Sequence, residues 1–145
     1  GPAGIETEVF AHGRMPLAFS ARCFTARNRN LPKDDCQFSC IEHPDGLLLR
    51  TREQKPFLVL NGTQTQSSSV YCLIGELAEL AQAGVDAIRI SPQATGTGQV
   101  LDIYDQARRG LLGADDARRQ LAPLLPGEAC NGYWHGVPGM DQVAA

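Results

Sequence analysis

Three of the chain's five cysteines, Cys23, Cys36 and Cys40, fall in one polar stretch, Ser20 to Cys40, with the spacing C-x12-C-x3-C. Thiolates are soft ligands that suit zinc and iron–sulfur clusters. A flexible loop lets three sulfurs converge on one centre, and Arg22 and Arg27 stand ready to offset the negative charge of ligated thiolates. The simpler reading makes these cysteines small buried hydrophobes, as free cysteines often are. The neighbours in "DDCQFSC" are too polar for that, so metal ligation is the better reading. Zinc and a cubane cluster both ask for a fourth ligand. His43, three residues after Cys40, would complete a Cys3His zinc site, although "EHPDG" is equally a plain turn signature. Cys72 leads into an apolar helical stripe and reads as core. Cys130 sits in a glycine-rich tail and stays open as a ligand.

Other chemistry-bearing patterns are weaker. "GTG" at Gly96–Gly98 stands between a strand and a helix, where backbone N–H groups can hold phosphate. The full dinucleotide fingerprint is missing, so a helix-starting turn is preferred. "GYWHG" joins an aromatic pair to His135 and suits either a pocket for a flat ring or a tail packed on the core. "NGTQTQSSS" reads as a polar loop after a strand. No Ser-His-Asp or Cys-His arrangement follows from spacing alone.

The elements that must hold these residues come next. Glu6 to Ala11 alternates like a strand and runs into "HGRMP", read as a turn at Gly13 and Pro16. Leu17 to Arg27 has helical spacing. "LLLR" and "PFLVLN" around "TREQK" predict a hairpin. Leu73–Ala83 predicts a helix stopped by Gly84, "VDAIRIS" a strand, Gly98–Arg109 a helix, and Asp115–Leu121 a short helix cut by Pro123 and Pro126. Strands are thus expected near Val9, Leu48, Leu58 and Ile88. Helix, strand, helix is βα grammar and points to an α/β fold. An eight-unit barrel needs about 250 residues, and this chain has 145, so it is read as a single domain, a partial barrel over 1–145. An open half-barrel leaves a sheet edge and an apolar face uncovered, so association is expected.

Composition agrees with a globular protein: 43% hydrophobic, 20% charged, net charge −3. No basic stripe suggests nucleic acid. No apolar run approaches the roughly 18 residues of a membrane span. No basic and apolar leader is visible, and the cytoplasm is the expected location. There grouped thiols bind metal more often than they form disulfides. The chain starts at Gly1 and not Met, which is read as a piece of a longer protein or a chain with its leader removed.

The segments "EVFAHGRMPLAFSARCFTAR", "CQFSC", "LNGTQTQS", "IRISPQ" and "CNGYWHGVPG" resemble the C-terminal half of the UbiV branch of the collagenase-like U-type peptidase family, from about Glu8 to Gly139. Wider family members carry a cysteine shortly after their "HG" turn. Pro16 holds that place here, which favours this branch over its UbiU partner. The resemblance implies a partial TIM-like barrel carrying a cysteine-bearing loop. It also implies a [4Fe-4S] cluster ligated by Cys23, Cys36 and Cys40, with a fourth ligand outside this chain. The implied role is in oxygen-independent hydroxylation of a ubiquinone precursor, as a heterodimer with a UbiU-like protein. A zinc module and a peptidase-like hydrolase are the alternatives. No catalytic residue is assigned, and whether the chain is itself an enzyme is left open.

Overall fold

The computed structural model describes residues 4–144. Its elements are β1 (Glu8–Phe19), α1 (Phe24–Asn28), two 3-10 turns (Lys33–Asp35 and Ser39–Glu42), β2 (Leu47–Arg50), β3 (Pro56–Asn61), β4 (Gln64–Cys72), α2 (Leu77–Gln82), β5 (Ala87–Ile90), α3 (Thr97–Arg108), α4 (Ala114–Leu121), a 3-10 turn (Ala122–Leu124) and β6 (Ala129–Cys130). The strands form an open six-stranded sheet in the order β2-β3-β4-β1-β5, with β6 on β4. β1 pairs parallel with β5 and β4 parallel with β6, while β2, β3 and β4 are antiparallel. The fold is therefore mixed α/β, as expected, and the sheet is not closed into a barrel. No helix among the described residues is long and apolar enough to cross a membrane.

The chain divides into two compact units, one of the residues up to Gly13 and from Val70 onward, the other Arg14–Ser69. In the first unit, Glu8 to His12 pair with Ala87 to Ile90. The core gathers Ala11, Val70, Leu73, Leu80, Val100, Tyr104 and Leu121. Both α2 and α3 end on glycines with φ of +74° and +70°. In each, the glycine N–H and the next residue's N–H reach back to close the last turn: Gly84 to Ala81 and Val85 to Leu80, Gly110 to Ala107 and Leu111 to Gln106. That bonding satisfies carbonyls the helix end would otherwise leave open.

In the second unit, β2 and β3 form the hairpin read from the sequence, with Leu48 opposite Val59. β3 and β4 form another, with Asn61 opposite Gln64. Gly62 and Thr63 form the two-residue loop, and Gly62, at φ +61°, supplies the positive φ of its first position. The turn carbonyls of Gly62 and Thr63 accept from Phe24 N–H (2.7 Å) and Ser20 N–H (2.8 Å). This positions the start of α1 and the cysteine before it.

Four expectations are corrected. "HGRMP" is not a turn, because β1 runs through it to Phe19. Gly13, at φ +124°, approaches Ser91 so closely that a Cβ would lie 2.6 Å from the Ser91 Cβ. Leu17–Arg27 is not one helix: its first three residues are strand and only Phe24–Asn28 is helical. "NGTQTQSSS" is not a loop, since Gln64 onward is β4. The helix expected at Leu73–Ala83 starts only at Leu77, because Leu73 N–H bonds Ala11 O (2.9 Å) and extends strand pairing instead.

Candidate functional site

The three clustered cysteines lie on the irregular part of the second unit. Cys23 caps the N-terminus of α1 in an extended conformation (φ −73°, ψ 115°). It is half-buried in a cleft whose other polar groups are Arg22, Arg27 and Asn30. Cys36 ends the first 3-10 turn and is half-buried. Cys40 lies inside the second and is exposed. The helix after Cys23 packs on the turn that carries Cys40, and an Arg29–Glu42 ion pair joins them.

Between Cys36 and Cys40 the backbone is unusual. Gln37 (φ 53°) and Phe38 (φ 50°) are consecutive non-glycine residues in the left-handed region, at roughly 1–2 kcal/mol each. Ser39 N–H bonds Cys36 O (3.2 Å) and closes the turn. The Ser39 side chain is buried, and its hydroxyl has no hydrogen-bond partner among the described residues. An unmet buried hydroxyl costs about 1–3 kcal/mol.

All five cysteines are free thiols. Among the described residues, no three His, Cys, Asp or Glu side chains converge closely enough to hold a metal ion. The structure thus brings the elements bearing Cys23 and Cys40 together without bringing the three sulfurs to one point. His43 is half-buried, and its backbone N–H bonds Cys40 O (2.9 Å). Cys40 is exposed, Cys23 and Cys36 are half-buried, and the segment that carries them is polar.

The first unit buries the other two cysteines. Cys72 is buried, which pushes its thiol pKa up, and its Sγ lies 3.6 Å from the Tyr104 hydroxyl. That hydroxyl donates to Ala11 O (2.9 Å). Burial pushes Cys130 up to about 11. Both are neutral thiols, and the reading of Cys72 as core holds. His12 is fully buried, with its ring edge-on to Tyr104 at 5.4 Å. Burial lowers its pKa to about 4, with the Gln93 side chain opposing weakly, and neither ring nitrogen makes a hydrogen bond to a described residue.

Sequence reading missed the buried carboxylate of Glu76. It accepts from Asn131 Nδ2 (2.8 Å), faces His135 Nε2 (3.3 Å) and lies 3.9 Å from Arg118. The available signal was a pair of glutamates, Glu76 and Glu79, in the otherwise apolar "LIGELAEL". "GYWHG" is a packed tail: Trp134 Nε1 donates to Glu79 (2.8 Å) while His135 meets Glu76. The "GTG" segment is the helix-starting turn expected, with Gly96 at φ +76° and Thr97 Oγ1 donating to Gln93 O (3.0 Å).

The family model described as Peptidase family U32 matches residues 2–143. The chain belongs to that family. No solved structure matches it. For this U32 chain the family name does not by itself identify a nucleophile. The buried thiols of Cys72 and Cys130 are held protonated, and His135 is engaged with the buried Glu76.

Proposed function

We propose that this U32 chain is part of a UbiV-like iron–sulfur protein. In that reading it serves oxygen-independent hydroxylation of a ubiquinone precursor, beside a UbiU-like partner and within a TIM-like barrel only partly contained here. One observation carries the reading. The three cysteines with family-like spacing all sit on the irregular, polar segment of the second unit, while the other two are buried and neutral. Cys23, Cys36 and Cys40 would hold a [4Fe-4S] group, with its fourth ligand outside the chain. When bound, such a group supplies one-electron chemistry whose potential depends on hydrogen bonds and exposure.

The chain's own residues have separate tasks in this reading. Arg22 and Arg27, in the cleft beside Cys23, offset the charge of ligated thiolates. The Arg29–Glu42 pair holds α1 against the turn of Cys40. Phe19 (77% exposed), Phe38 (71%) and Ile41 (77%) leave large apolar groups in solvent on the second unit, in keeping with a protein partner.

The test is anaerobic reconstitution, with iron and sulfide counted per chain and the visible absorption recorded. A small external thiol is added to serve as fourth ligand. Iron with matching sulfide and a broad visible band is expected. A colourless protein with stoichiometric zinc overturns the reading, and zinc loss in His43→Ala would then support the Cys3His alternative.

A further inference from the structure

Cys23, Ala26, Arg27 and Asn30 stand at i, i+3, i+4 and i+7 along α1 and its ends, the spacing that sets side chains on one side of a helical segment. That side, with Arg22, Leu31 and Pro32, lines a cleft of about 620 Å³. Backbone bonds fix the segment at both ends. Before it, Ser20 N–H and Phe24 N–H bond the carbonyls of the β3–β4 turn. After it, Asn30, at φ 55°, and Leu31 return their N–H groups to Arg27 O (3.0 Å) and Ala26 O (2.8 Å). This is a left-handed helix stop of the kind asparagine tolerates. The charge around the cleft is one-sided. No carboxylate lines it among the described residues. Arg29 is paired with Glu42, whereas the guanidinium groups of Arg22 and Arg27 make no hydrogen bond or ion pair to a described residue. The whole chain carries a net charge of −3, so two unpaired cations on one cleft are a local feature and not a reflection of composition.

We propose that this cleft binds a small dianion carried on an apolar body, held by the guanidinium groups of Arg22 and Arg27 with the Asn30 amide donating beside them. Guanidinium N–H groups take an oxyanion in paired, charge-assisted hydrogen bonds, and two of them match two negative charges. The cleft falls within the roughly 300–1,000 Å³ of small-molecule sites, so room remains beyond the oxyanion. Ala26, Leu31 and Pro32 offer that remaining part an apolar surface. Both arginines are exposed, and solvent screening sets a modest affinity. The inference goes beyond the iron–sulfur reading and needs no metal: the arginines that offset thiolate charge in that reading are open to an anion in the iron-free chain.

The experiment is an NMR titration of the full, iron-free chain at low salt, following backbone amide shifts. The probes are phenyl phosphate, phthalate, benzoate and inorganic phosphate. Phenyl phosphate and phthalate are expected to shift the amides around Cys23 to Leu31 saturably, in the millimolar range. Benzoate, with one charge, and inorganic phosphate, with no apolar body, should bind about fivefold more weakly or worse. Phthalate tighter than phenyl phosphate puts one carboxylate on each arginine, the reverse puts one phosphate between them, and either supports the site. Arg22→Gln and Arg27→Gln should each weaken both dianions by about fivefold. Arg52→Gln removes the same charge from the β2–β3 turn and should change them by less than about twofold. Absence of saturable shifts with either dianion overturns the site, as do equal losses in Arg52→Gln and the two cleft variants. Phenyl phosphate no tighter than inorganic phosphate overturns the apolar body. Iron is absent throughout, so iron uptake in reconstitution succeeds or fails separately from every one of these results.

Discussion

The two units of this chain handle sulfur in opposite ways. In the first, Cys72 and Cys130 sit on strand ends, buried and protonated, and the Glu76 carboxylate meets an amide, an imidazole and a guanidinium. In the second, Cys23, Cys36 and Cys40 sit on short turns, two half-buried and one exposed, next to a left-handed backbone pair and an orphaned hydroxyl. Unmet buried polar groups occur in both units, at the His12 ring in the first and the Ser39 hydroxyl in the second, so the difference lies in the thiols. The contrast teaches that a cysteine's surroundings separate a packing thiol from an accessible one better than its presence in a count of five.

The sharpest way to break the comparison is to remove the thiols singly. Cys23→Ala, Cys36→Ala and Cys40→Ala should each reduce iron uptake to a small fraction of wild type in anaerobic reconstitution. Cys72→Ala should leave iron per chain unchanged while lowering stability, because it empties space beside Tyr104. Abolition of iron binding by Cys72→Ala would erase the distinction between the two classes.

Next in size is Glu76→Ala. It leaves Asn131 Nδ2 without this acceptor and Arg118 facing one carboxylate fewer inside the first unit. Removing one member of a buried ionic network costs about 3–5 kcal/mol. Urea unfolding followed by tryptophan fluorescence suits the test, since Trp134 is the chain's one tryptophan and hydrogen-bonds Glu79. A loss under about 1 kcal/mol would mean that the network is no more than a surface arrangement.

His12 sharpens the comparison through pH. Its folded pKa, about 4, lies below the ordinary 6.5. Between those values the unfolded chain binds a proton that the folded chain rejects. Stability is therefore full above about pH 6.5 and falls as pH drops towards 4. By pH 5 the loss from this group is about 2 kcal/mol. Replacing His12 by Gln should flatten that window, whatever it does to stability at pH 7. A wild-type chain equally stable at pH 7 and pH 5 would remove the burial argument.

The legible parts of the fold were those carried by side-chain period and punctuation. Leu48 against Val59 and the stripe of α3 were readable because apolar residues repeat at 2 and 3.6. Gly84 was readable as a helix stop because only glycine enters the left-handed region without strain there. β4 was not, because "QTQSSS" has no apolar alternation. Main-chain pairing with β3 across the Gly62-Thr63 loop makes it a strand, and that glycine signal was present but outweighed by polarity. β1 was cut short for a similar reason: glycine and proline suggest a turn, yet Gly13 serves a close approach to Ser91 and Pro16 lies exposed within the strand. At the candidate site the spacing put three thiols on one polar segment, and the structure sets α1 beside the Cys40 turn without joining the three sulfurs. Ser39 and Glu76 were not, because burial of a single serine or glutamate is decided by distant residues.

The smallest expected effect compares two glycines of the second unit and asks whether its turns depend on backbone freedom or on space. Gly62 has φ +61°, with nothing within 4 Å of where a Cβ would stand. Alanine there meets only the conformational penalty, about 1–2 kcal/mol. Gly46 has φ +78°, and its Cβ would lie 2.6 Å from Val59 Cγ1 and 3.0 Å from Leu60 O. Val59 is 1% exposed and cannot move away freely. Gly46→Ala should therefore cost more than Gly62→Ala, by roughly the 1–3 kcal/mol of an overpacked core. Asparagine separates the terms, since it tolerates the left-handed region: Gly62→Asn should recover most of the stability lost in Gly62→Ala, and Gly46→Asn should recover none. Paired urea melts of the four variants make the measurement. Equal losses at the two sites would show that the turn near the cysteine segment yields around a new side chain, and the rigidity assigned to the Val59 side of this unit would have to be given up.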